Sequence, residues 1–268
     1  MPMLEKIRRC VSIVLDRRGA DRGLTVFPDD VLIVSYPRSG NTWFRFLIAN
    51  LLSTDPASFG NIERIVPDIY TNSDVQLLGM PRPRILKSHE PFTPLYRSVV
   101  YLIRDPRDVA VSLFHYNVKV RALEPDFPLD RFIDQFIDSA SEVNRFGTWG
   151  EHVRTWIAAE RTPEHFVIIR YEDLLADAPS QLRRICNVLG IPGDDARIQR
   201  AVQLSDAQQM RASEKEHHDR WASTKGSRKD KQFVRKAKEG SWREELPPQL
   251  ADCIARRWPD LMERFGYA

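Results

Sequence analysis

Four short apolar runs in this chain each end in groups that bind charge or move protons. Val31-Leu32-Ile33-Val34 leads into Ser35-Tyr36-Pro37-Arg38-Ser39-Gly40-Asn41-Thr42, and Ile85-Leu86 leads into Lys87-Ser88-His89-Glu90. Ser98 to Ile103 ends at Arg104, and Phe166 to Ile169 at Arg170-Tyr171. A glycine-bearing turn between a strand and a helix is an anion site in outline. Unpaired amides from Ser39 to Thr42 converge there, the helix dipole adds positive potential, and Gly40 lets an oxyanion approach the backbone. Arg38 adds a fixed charge, and Ser39 and Thr42 add hydroxyl donors. An imidazole such as His89 can take a proton near neutral pH. An ordinary βα turn whose Ser and Thr cap a helix remains the plainer reading of this one stretch. G-x-x-x-x-G-K-[ST] is absent, which weighs against an ATPase.

Elements of a particular kind must hold these groups. Runs of β-branched residues without polar alternation are those of strands buried on both faces of a parallel sheet. Trp43 to Leu52, Arg107 to Arg121, Leu129 to Ala140, Trp149 to Glu160, Ser180 to Leu189, Asp195 to Leu204 and Trp258 to Phe265 read as helices. Strands alternating with helices predict an α/β domain with a central parallel sheet flanked by helices, and in such sheets ligands collect at the carboxyl ends of the strands. Asp55 to Pro83 reads as loops with one short helix, able to wall an acceptor pocket. Residues 212–240 change character: Lys225 to Lys238 holds seven basic residues and one acidic residue. Such a run is a solvated face or a lid over an anion.

A chain of 268 residues with 42% hydrophobic content can bury one large core, so residues 1–268 are read as one domain. Forty basic against 37 acidic residues give a net charge of +3, which offers no ground for a nucleic-acid polymer as partner. Cys10, Cys186 and Cys253 form no C-x-x-C pair, so neither a disulfide framework nor a zinc site is expected. With no signal-like or membrane-spanning run, a cytoplasmic setting is the default expectation. Residues 1–23 form an amphipathic pattern that suits packing on the domain edge or, less commonly, contact with a membrane surface.

Taken together, SYPRSGNTW, ILKSHEPF, YLIRDPRDVAVSLFHY, VIIRYEDLLAD and FVRKAKEGSWREEL resemble, in order, the motifs of cytosolic-type sulfotransferases that use 3′-phosphoadenosine 5′-phosphosulfate (PAPS). The resemblance runs from about Leu32 to Leu246 and implies a P-loop-kinase-like three-layer fold. It implies that Arg38, Ser39, Gly40, Asn41 and Thr42 cradle the 5′-phosphosulfate and that Trp43 stacks on adenine. Arg104 and Ser112 match ligands of the 3′-phosphate, joined by Arg235 and Lys236 from the basic run, and Tyr171 matches an adenine contact. His89 matches the general base, with Lys87 and Arg38 stabilising charge on the sulfuryl group and the leaving oxygen; no metal is implied. Arg38 stands where the family more often has Lys, so a planar fork replaces a point charge. Ala237 replaces a glycine and is strained if its φ is positive. Ser241 replaces a usual Asp, and the dimerisation pattern of some relatives is missing, so no oligomeric state is implied.

Glu90 is a rival base, since Golgi-type carbohydrate sulfotransferases resemble this family and use a glutamate. A P-loop-type kinase and a non-catalytic nucleotide-binding protein of the same fold are the competing functions. The first needs a Walker lysine that the loop lacks; the second needs no base. The acceptor is expected to be a small molecule or glycan, with a hydroxyl of a glycan, glycolipid or natural product preferred to an amine.

Overall fold

The computed structural model describes residues 23–138, 141 and 145–268. The predicted N-terminal helix lies outside the described residues. Four strands, β1 (Val31–Ser35), β2 (Ile85–Ser88), β3 (Ser98–Ile103) and β4 (His165–Arg170), form one parallel sheet in the order β2-β1-β3-β4. β1 therefore sits between its two successors, with Ile33 opposite Lys87 on one side and Val100 on the other. This order puts the ends of β2, β1, β3 and β4 in a row: Lys87 and His89, then the glycine turn, then Arg104, then Tyr171.

Alternate strand residues go to opposite faces and build two separate cores. Leu32, Val34, Leu86, Val99, Tyr101 and Ile103 face one layer, and Val31, Ile33, Ile85, Val100, Leu102 and Val167 face the other. The second layer contains helices α1 (Asn41–Leu52), α2 (Ile62–Ile65) and, further along the chain, residues 178–204; α3 (Asp74–Leu78) closes the first loop region. The first layer is packed by α4 (Pro106–Lys119), α5 (Leu129–Ile137) and α6 (Trp149–Ala158). α7 (Tyr171–Ala176) follows β4 directly, and α8 (Ala178–Leu189) and α9 (Asp195–Leu204) return across the sheet. Asp105 caps α4 by accepting from the amide of Arg107, and Pro106 takes a first-turn position where no amide is needed.

The basic segment departs from its expected looseness. Its beginning belongs to α10 (Ala207–His217), a helix whose buried residues are only Met210 and Glu214. Glu214 accepts from the amides of Phe233 (2.6 Å) and Val234 (3.0 Å) and pairs with buried Lys119 of α4 at 3.2 Å. The segment is thus strapped to the body by its own backbone. A short 3-10 turn (Ser241–Glu244), α11 (Pro248–Arg257) and α12 (Pro259–Arg264) complete the described chain.

Candidate active site

At the carboxyl ends of the strands lies a cavity of about 750 Å³. Its walls include Arg38, Gly40, Asn41, Thr42, Trp43, Lys87, His89, Arg104, Ser112, Tyr171, Arg235 and Lys236, so nearly every residue singled out by sequence meets in one place. Ser39 is the exception: it is fully buried behind the turn, and its Oγ has no hydrogen-bond partner among the described residues.

The turn is built for close approach. Gly40 stands at φ 94° at the start of α1, and no side chain caps the amides that follow. A Cβ at Gly40 would lie 2.4 Å from Cδ2 of Tyr171, so only glycine fits. Ser39 differs from the expected pattern, because its amide closes a turn on Tyr36 O at 3.3 Å. Asn41 turns its side chain away from the cavity and donates from Nδ2 to Ile33 O (3.2 Å) and Ser35 Oγ (3.1 Å), tying the loop to β1. What Asn41 offers an anion is its amide.

Arg38 also has positive φ, 69°, an uncommon conformation for a residue with a side chain. Its guanidinium lies between the rings of Phe233 (4.4 Å) and Tyr116 (4.8 Å). It donates to Ser112 Oγ at 3.2 Å and to Phe233 O at 3.3 Å. Burial is the main cause that draws its pKa down to about 10, with Arg104 and Arg235 adding to it. Arg38 thereby bridges from the turn to the serine expected at the far phosphate.

Arg104 packs over the ring of Tyr171 at 4.3 Å, donates to Lys238 O at 3.1 Å and pairs with Asp108 at 3.5 Å. Its Nε is buried without a partner among the described residues. Trp43 stands edge-on to Tyr171 (5.6 Å between centroids) and donates from Nε1 to Ser205 O. Tyr171 is both the floor under Gly40 and a cavity wall. Ala237 does adopt positive φ, 52°. The strain anticipated for an alanine there is present.

His89 is held on three sides. Its Nδ1–H donates to Ser35 O at 2.6 Å, its amide donates to Tyr70 OH at 2.9 Å, and His152 Nε2–H donates to its carbonyl at 3.0 Å. The first bond fixes the tautomer and leaves Nε2 as the lone-pair nitrogen. Tyr70 stacks on the imidazole at 5.9 Å, and Phe146 lies 5.7 Å away. Burial lowers its pKa well below 6.5, and the neighbouring Lys87 charge lowers it further. Glu90 is placed otherwise: its Oε1 accepts from Tyr70 OH at 2.9 Å, and it lines a second cavity instead of the main one.

Asp68, Phe146, His152, Glu214 and Phe233 line or support the candidate site without having been singled out in sequence, whereas Tyr70 lies in the Asp55–Pro83 stretch expected to wall the acceptor pocket. Asp68 Oδ2 takes Lys87 Nζ at 2.5 Å in a buried pair. Burial raises the Asp68 pKa, but Lys87 and Arg45 outweigh it and hold the carboxyl at about 2. Among the described residues, no three His, Cys, Asp or Glu side chains are grouped to hold a metal, and no helix is long and apolar enough to cross a membrane.

The family profile described as Sulfotransferase domain matches residues 28–266. The chain belongs to the sulfotransferase family. This sulfotransferase is 31% identical over 262 residues to Sulfotransferase 2B1 of Mus musculus, covering 92% of this chain and 76% of the relative. It is 32% identical over 203 residues to 3-alpha-hydroxysteroid sulfotransferase of Cavia porcellus, covering 70% and 69%. Among solved structures it superposes on mouse sulfotransferase SULT7A1 complexed with PAP, with a TM-score of 0.70, 20% identity and coverage of 90% and 86%. The complex of retinol dehydratase with retinol and PAP gives a TM-score of 0.69 at 22% identity, with coverage of 92% and 85%. The fold inferred from strand and helix patterning is the fold of these proteins.

Proposed function

We propose that this sulfotransferase moves the sulfuryl group of PAPS to the hydroxyl of a small acceptor, with His89 as general base. The observation that supports this most is the His89 tautomer: Nδ1–H is committed to Ser35 O, and Nε2 has no partner among the described residues. PAPS suits the cavity on chemical grounds. The free amides of α1 and the Gly40 cradle accommodate an oxyanion, and the unpartnered Nε of buried Arg104 and the cations Arg235 and Lys236 suit a second, 3′-phosphate. In this reading residues 1–268 act as one domain and 212–240 as its strapped lid.

His89 Nε2 accepts the acceptor's proton as the acceptor oxygen bonds to sulfur and the bond from sulfur to the bridging phosphate oxygen breaks. Lys87 and Arg38 offset the charge on the sulfuryl and leaving oxygens. The Tyr70 and Phe146 rings beside His89 suit the apolar face of a ring, which sterols, phenols and sugars all present. Thr71 and Asn117 on the same walls suit further hydroxyls.

Two outcomes follow. A base whose pKa is lowered stays neutral to lower pH, so the acid limb of kcat/KM should fall below pH 6.5, and turnover at pH 6.5 should be near its plateau. An acid limb above pH 7 excludes His89 in this environment. Gly40→Ala should weaken PAP binding about 100-fold or more, because its Cβ collides with Tyr171 and occupies the anion's approach. Calorimetry with PAP measures this, and wild-type affinity in that variant removes the turn from the donor site.

Calorimetry of the wild-type protein with PAP, AMP and magnesium ATP tests the donor assignment. PAP should bind at least about 100-fold more tightly than AMP, which lacks only the 3′-phosphate. Tight magnesium ATP binding with indifference to a 3′-phosphate points to the kinase instead.

A further inference from the structure

Three cations of the lid, Arg235, Lys236 and Lys238, already have anionic partners. Glu245, one residue past the 3-10 turn, pairs with Arg235 and His115, and with Lys236 at 2.7 Å. Glu244 takes the outer side of Lys236 (2.7 Å) and pairs with Lys238. Burial raises the Glu245 pKa, but Lys236, His115 and Arg235 outweigh it and hold the carboxyl at about 2.

The turn that carries Glu245 is fixed to the same wall as Arg104. Buried Asp108 accepts from Gly240 N (2.8 Å), Ser241 Oγ (2.8 Å) and Trp242 N (2.9 Å), and also pairs with Arg104. A carboxylate is thereby held among Arg235, Lys236 and His115, of which Arg235 and Lys236 line the cavity.

We propose that Glu245 is a specificity-determining residue of the donor site: its carboxylate holds the place beside Arg235 and Lys236 that a nucleotide 3′-phosphate takes. The proposal rests on the reading of Arg235 and Lys236 as 3′-phosphate ligands. An anion reaching Arg235 and Lys236 must displace the carboxylate or lie beside a like charge, and either is unfavourable. A phosphate dianion with three acceptor oxygens can exchange for a carboxylate. A nucleotide without a 3′-phosphate has nothing to exchange and leaves the pairing intact. Glu245 therefore weakens PAP binding, leaves AMP binding alone, and offsets the charge of Arg235 and Lys236 when no nucleotide is bound.

The test is Glu245→Gln, which keeps shape and hydrogen bonding and removes the charge, titrated with PAP and with AMP in low salt. PAP should bind about tenfold more tightly than to the wild type, with AMP changed by less than about twofold, so the PAP-to-AMP ratio rises about tenfold. The gain should shrink as salt is raised. Glu244→Gln, at a more exposed position, should change PAP binding by less than about threefold.

Unchanged or weakened PAP binding in Glu245→Gln overturns the proposal and makes Glu245 a prop for Arg235. An equal gain in Glu244→Gln overturns it as well, since net charge alone then explains the effect. A wild-type protein that does not distinguish PAP from AMP refutes the underlying 3′-phosphate assignment, a separate and recognisable failure.

Discussion

His89→Ala should lower kcat by about 10³-fold while PAP affinity stays within about threefold of wild type, and Glu90→Gln should turn over at close to the wild-type rate. General-base catalysis contributes about 10²–10⁴-fold where a positioned group accepts the proton. The three bonds that hold His89 give it that positioning and leave only Nε2 uncommitted. Steady-state kinetics with one hydroxyl acceptor, paired with PAP calorimetry, separates the two parameters. Near-wild-type kcat in His89→Ala with collapse in Glu90→Gln reverses the roles. Loss of PAP binding in His89→Ala makes the histidine part of the donor site's structure.

Asp68→Ala should destabilise the fold by about 3 kcal/mol and lower kcat by about 100-fold, because it leaves a buried ammonium unpaired. Burial already draws the Lys87 pKa down, and Asp68 is the main influence opposing it. Without Asp68 the lysine gives up its proton more readily and its charge is lost to the sulfuryl oxygens. The pH dependence follows from the same pair. The folded pKa of Asp68, about 2, lies below its ordinary 3.8, so its contribution to stability is present above the ordinary value and is lost as pH falls through the folded one. Denaturant titration at pH 7 and pH 3 measures this: Asp68→Ala should lie well below wild type at pH 7 and approach it on acidification. Equal midpoints and equal turnover in wild type and variant make the pair a bystander.

The outline of the sheet and the charged groups at its strand ends could be read from the chain because their signals are local, whereas the parts given to Ser112, Arg235 and Lys236 came from the family resemblance. An apolar run, a proline or glycine, and a charged residue within ten positions are visible without any fold. Parallel strands then bring those termini to one edge whatever the order. The supports of the site had no such signal. Asp68 lies 19 residues from Lys87 in a loop-like stretch, and nothing in its spacing marks a partner. His152 reaches His89 from a helix 63 residues away, and Tyr70 crosses 19 residues to meet it. α10 was hidden for a different reason. Its only buried positions are Met210 and a charged Glu214, so it carries no apolar periodicity, and a buried carboxylate reads in sequence as a solvated one. Phe233, within the basic run, gave no sign that it would pack against Arg38, because the two residues are brought together by the strap that Glu214 and Lys119 anchor.

The central claim is acceptor-dependent transfer of the sulfuryl group from PAPS. The most direct test incubates the wild-type protein with ³⁵S-labelled PAPS and a panel of sterols, phenols and sugars, and counts labelled product against PAP released. The account predicts label on at least one hydroxyl acceptor, one PAP for each sulfated product, and no comparable release without acceptor. PAP and free sulfate formed at the same rate with or without any acceptor contradict it.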